Sequence, residues 1–120
     1  MKFKLDFDIA KSDAHINYDQ AITSLGSCFA DNMTQKLLTY KFNVIDHKLG
    51  TLYNPHAIFN LTKKAIHKIY PKPVLIDGMY MSFDLHSKIR AAHQTEFSSL
   101  CESRMNMLHQ GMKKSKWLII

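Results

Sequence analysis

The stretch Gly26-Ser27-Cys28-Phe29-Ala30 constrains this chain more than any other. A short apolar run, Ala21-Ile22-Thr23-Ser24-Leu25, ends at Gly26, and helical spacing begins near Phe29. A strand that turns sharply into a helix presents whatever stands on the turn. Here that is a hydroxyl and a thiol, beside helix-start N–H groups that lack an intrahelical acceptor and the positive end of the helix dipole. Such a turn suits a nucleophile, either Ser27 or Cys28. Ser27 equally suits a plain helix N-cap, and cysteine is often a small buried hydrophobe.

Around this turn the pattern alternates between periods two and 3.6. Phe3, Leu5, Phe7 and Ile9 interleave with Lys2, Lys4, Asp6 and Asp8, which predicts a half-buried strand. Phe29, Met33, Leu37 and Tyr40 predict the apolar face of a helix with Asp31 in its first turn, and Phe42 to Ile45 predicts a further strand. Asn54-Pro55 opens a second helix, Asn as N-cap and Pro where its missing N–H is not needed. Its expected stripe is Ile58, Leu61 or Thr62, Ala65 and Ile69, and Pro71 and Pro73 end it. Asp77-Gly78 between Val74-Leu75-Ile76 and Met79 to Phe83 predicts a hairpin. A third helix is expected from about Thr95 to about Lys114, with Phe97, Leu100 or Cys101, Met105, Leu108 and Met112 inward and Gly111 as a weak point. Trp117 to Ile120 closes the series as a strand.

Strand–helix–strand alternation predicts an α/β fold on a parallel sheet with right-handed crossovers. In such a sheet an apolar final strand reads as an interior one, so residues 1–120 are expected to be the N-terminal part of a larger domain. The open edge beyond Trp117 to Ile120 predicts self-association.

Composition excludes several classes. The 120 residues suffice for at most one domain. Net charge is +6, but the lysines are dispersed, without the basic stripe of a specific nucleic-acid binder. The two cysteines form no CxxC and the seven histidines no HExxH, so no metal site and no cofactor are expected. No apolar run reaches the roughly 18 residues of a membrane span, and Met1 to Ile9 lacks a secretory apolar core, which predicts a cytoplasmic protein.

Leu25-Gly-Ser-Cys-Phe-Ala-Asp-Asn, then Lys36-Leu37, Phe42-Asn-Val, Leu49-Gly-Thr-Leu-Tyr-Asn-Pro55 and Ser82-Phe-Asp-Leu-His-Ser87 resemble the GSCFA family. Its members are bacterial, longer than this chain, and grouped with the SGNH/GDSL hydrolases. The resemblance implies a three-layer SGNH-like sheet and hydrolysis of an ester or acyl bond in a small-molecule or glycan substrate. In such enzymes a serine after the first strand is the nucleophile. Its own N–H, a glycine N–H after the second strand and a later Asn hold the oxyanion, and a distant Asp-x-x-His supplies the base. The nucleophile falls on Ser27 if serine is matched to serine, and on Cys28 if the glycine is matched without a gap. Gly50 takes the place of the oxyanion glycine. Asn54 and His86 are candidate binding residues; their plainer roles are a helix cap for Asn54 and an exposed loop histidine for His86, which could also bond Asp84. No Asp-x-x-His occurs in the chain. Where relatives often have Asn-Pro-Phe-Gly, this sequence has His47-Lys48-Leu49-Gly50 and keeps only the glycine. A non-catalytic binding or structural domain on the same scaffold is the alternative.

Overall fold

A computed structural model describes residues 3–120. The elements in order are β1 (Ile22–Ser24), α1 (Cys28–Thr39), α2 (Pro55–Ile66), β2 (Val74–Ile76), β3 (Met79–Met81), α3 (Gln94–Lys114) and β4 (Trp117–Ile119). The chain is mixed α/β, and its parallel sheet is small.

β1 is the pivot. It pairs in parallel with β4, Thr23 opposite Leu118. On its other side Ile22 makes a parallel bridge to Val44 through two backbone bonds of 2.9 Å, from Ile22 N–H to the Asn43 carbonyl and from Ile45 N–H to the Ile22 carbonyl. Side chains alternate across a strand. Thr23 accordingly meets α3, its hydroxyl 2.7 Å from that of Ser115, while the Ser24 hydroxyl donates to the Ala30 carbonyl in α1 at 3.0 Å. β1 therefore has a helix on each face. The approach to α3 is close because residue 111 lacks a Cβ; one added there would stand 2.4 Å from Thr23 Oγ1. The residue that weakens the helix in isolation is the one that lets it reach the strand.

The hairpin forms in the expected register, Val74 opposite Met81, with Asp77 and Gly78 both at positive φ (48° and 77°) as a type I′ turn requires. β3 is extended by a bridge between Tyr80 and Ala91. The core lies between α2, α3 and the loops that follow Val44 and β3. Phe97, Cys101, Met105 and Leu108 of α3 and Leu61 and Ala65 of α2 are all at most 1% exposed. Fully burying a Phe or Leu side chain stabilises by about 1.5–3 kcal/mol, so this stripe carries much of the fold.

Four expectations from periodicity are corrected. Ile69 is outside the stripe of α2, past the helix end at Ile66, and is exposed. Residues 3–10 are not a strand; Phe3, Leu5, Phe7 and Ile9 are exposed and pair with nothing among the described residues. Alternation states that one face prefers burial but supplies no partner edge. Phe42 to Ile45 contracts to the single Val44 bridge, because Lys41 takes a φ of 65° and the Phe42 N–H folds back onto the Leu37 carbonyl. The ring of Phe42 stacks instead on Tyr18, centroids 4.2 Å apart. In α1 the buried residues are Ala30 and Thr34, whereas Phe29 and Tyr40 face outward. The small side chains let α1 lie against β1.

Candidate functional site

Ser27 and Cys28 stand just past the carboxyl end of β1, where ligands of open α/β sheets bind. Ser27 is the N-cap of α1: extended (φ −72°, ψ −175°), half-buried, its Oγ accepting the Phe29 N–H at 3.3 Å. A hydroxyl that accepts there still has its own proton to give. Cys28, the first helical residue, is exposed, and its carbonyl accepts from the Asn32 side chain at 2.8 Å. Among the described residues, the backbone N–H groups of Ser27 and Cys28 have no protein acceptor.

The segment after Val44 folds back over this turn. The Leu52 N–H donates to the Gly26 carbonyl at 2.6 Å, and this bond straps the Gly50–Asn54 segment to the start of the turn. Gly50 has a φ of 80°, which only glycine adopts at little steric cost, and its N–H likewise has no protein acceptor among the described residues. His86 packs directly on it: a Cβ on Gly50 would lie 2.9 Å from His86 Cβ. The His86 Nδ1 accepts the Lys88 N–H at 3.1 Å. His86 does not bond Asp84, whose carboxylate is paired with Lys64. Asn54 caps α2, its Oδ1 accepting the His56 N–H at 2.8 Å, and lines a cavity of about 190 Å³ with Phe83 and Asp84. Gly50 belongs to another cavity, about 270 Å³, between α1 and the 46–50 loop. The structure thus brings Ser27, Gly50 and His86 to one end of the sheet, while Asn54 faces a different cavity.

Sequence reasoning missed His47. It is 6% exposed, with Nε2 2.8 Å from the Ser24 carbonyl oxygen and Nδ1 accepting the Leu49 N–H at 3.1 Å. Burial holds its pKa below the ordinary value, against the Ser24 carbonyl, Asp46 and Asp31, which favour the charged form. The signal available was the His47-Lys48-Leu49-Gly50 segment, where the resemblance leads one to expect Asn-Pro-Phe-Gly. Cys101, inside α3, is a different thiol from Cys28: burial pushes it up to about 11 although Arg104 pulls the other way. Among the described residues no three His, Cys, Asp or Glu side chains are grouped to hold a metal, and no helix is long and apolar enough to cross a membrane.

A strand-to-helix turn at the carboxyl end of a parallel strand, with N–H groups that have no acceptor among the described residues and a glycine-containing loop strapped to its start, makes this an α/β protein with a candidate nucleophile turn. The chain belongs to the GSCFA family, whose model matches residues 21–120. No curated protein and no solved structure matched it.

Proposed function

We propose that this chain carries the nucleophile and oxyanion half of an SGNH-like hydrolase acting on ester or acyl bonds, on a three-layer sheet of which residues 1–120 are the N-terminal part. The observation that carries this reading is the set of N–H groups at Ser27, Cys28 and Gly50, which have no protein acceptor among the described residues and stand on two segments joined by the Leu52 N–H to Gly26 carbonyl bond. Ser27 Oγ attacks the substrate carbonyl, and the oxyanion accepts hydrogen bonds from the Ser27 and Gly50 N–H groups. Ser27 is preferred to Cys28 because it stands at the strand end, next to the carbonyl that holds the Gly50 segment. The proton goes to a base that the family resemblance places in an Asp-x-x-His segment, which residues 1–120 do not contain. Alone, this part should turn over slowly or not at all, since loss of triad partners costs several orders of magnitude. Two free thiols suit a reducing, cytoplasmic setting.

The alternative of a non-catalytic binding or structural domain is supported by Ser27 itself, whose Oγ is engaged in capping. Two observations separate the readings. The coding sequence beyond Ile120 should contain an in-frame Asp-x-x-His, and the full-length product should hydrolyse p-nitrophenyl acetate with a rate that collapses in Ser27→Ala. A stop codon at that point with a folded product, or an unchanged rate in both Ser27→Ala and Cys28→Ala, favours the binding domain.

A further inference from the structure

The oxyanion role of Gly50 needs its N–H held in place, and the residue placed to hold it is His47. The Ser24 carbonyl can only accept, so His47 Nε2 carries the proton; the Leu49 N–H can only donate, so Nδ1 is bare. The ring is therefore fixed as one neutral tautomer, tying the last residue of β1 to the backbone one residue before Gly50. The loop it ties follows a path most residues resist, with Lys48 at a φ of 54° and Gly50 at 80°.

We propose that His47 is a positioning residue: its neutral imidazole clamps the 47–50 loop to the carboxyl end of β1 and aims the Gly50 N–H, and protonation of the ring releases the clamp. This rests on the reading of Gly50 above. A proton on Nδ1 would face the Leu49 N–H donor to donor, so that bond is lost and the loop must move. The charged and titratable groups around the clamp come from every element packed on it. Asp31 of α1 and the adjacent Asp46 favour the charged ring, Arg104 of α3 donates to the Lys48 carbonyl at 2.7 Å, Lys48 lines the same cavity, and His86 touches Gly50 from the turn after β3.

NMR tests this without reference to ester turnover. Long-range proton–nitrogen spectra at pH 7 should show His47 with a protonated Nε2 and a bare Nδ1. On acidification the Gly50 amide resonance should move with the His47 ring, with its midpoint below the ordinary histidine value of about 6.5. His47→Gln keeps a donor able to reach Ser24, and His47→Asn keeps an acceptor near Leu49; neither can gain a proton. In each the Gly50 amide should lose that pH-dependent shift, whereas His86→Gln should leave it in place. An Nδ1-protonated ring, or a Gly50 amide that follows His86 and not His47, overturns the proposal. The hydrolase reading can fail while these outcomes hold. If it stands, His47→Gln, which keeps the bond to Ser24 but not the acceptor for the Leu49 N–H, should lower kcat at pH 7 and lose the part of its acid-side fall that belongs to His47.

Discussion

Gly111→Ala should destabilise this protein even though it replaces a helical glycine. In an unobstructed helix interior the change stabilises by about 0.5–1 kcal/mol, because glycine loses more backbone entropy and exposes more backbone. Here the new methyl carbon would stand 2.4 Å from Thr23 Oγ1, 3.1 Å from its Cγ2 and 3.3 Å from its Cβ. Thr23 is fully buried and its hydroxyl is tied to Ser115, so it cannot turn aside without losing that bond. Overpacking of this kind costs about 1–3 kcal/mol, which exceeds the propensity gain and leaves a net loss of about 1–2 kcal/mol. In a Thr23→Ala background the two nearest atoms are gone. The same Gly111→Ala change should then be neutral or stabilising by up to about 1 kcal/mol, a coupling of about 2 kcal/mol between the sites. Urea denaturation of the four proteins of the cycle measures it, with midpoints compared at constant m. If Gly111→Ala stabilises the unmodified protein, or if the two changes add within about 0.5 kcal/mol, the close packing of α3 on β1 is wrong.

Other consequences follow from the same geometry. Gly50→Ala should cost about 1–3 kcal/mol in denaturation, from its positive φ and the 2.9 Å contact with His86, and should displace the His86 resonances. A thiol reagent such as DTNB should modify one cysteine quickly in the native protein and the second only on unfolding; Cys28→Ala should abolish the fast phase, since Cys101 is buried and its thiol is pushed up to about 11. His47 has a folded pKa below its unfolded one, so the unfolded state binds the proton first. Its contribution to stability is present above pH 6.5 and is lost as pH falls through the lower folded value. His47→Gln should flatten that part of the stability–pH curve.

The parts legible in the sequence are those fixed by local chemistry. Asp77-Gly78 sets its own turn and hence the hairpin register, Ser27 and Asn54 cap the helices they precede, and the α3 stripe from Phe97 to Leu108 faces the core as its spacing requires. What failed depends on partners distant in sequence. The alternation of Phe3 to Ile9 is real, yet no strand edge receives it among the described residues. Phe29 and Tyr40 have the right spacing for burial, but the face of α1 that meets β1 is chosen by how closely Ala30 and Thr34 allow approach. At the candidate site, Ser27 and Gly50 could be named from the sequence. His47 could not, because its role arises from two backbone bonds made by a loop whose path is visible only in three dimensions.

On the proposed reading, the bend between β1 and α1 presents Ser27 as an attacking group. Labelling with a fluorophosphonate, followed by peptide mapping of the full-length protein, tests it most directly. One adduct is expected, on the peptide containing Ser27, which Cys28→Ala retains and Ser27→Ala loses. No adduct at that turn, or one that survives Ser27→Ala, would contradict it.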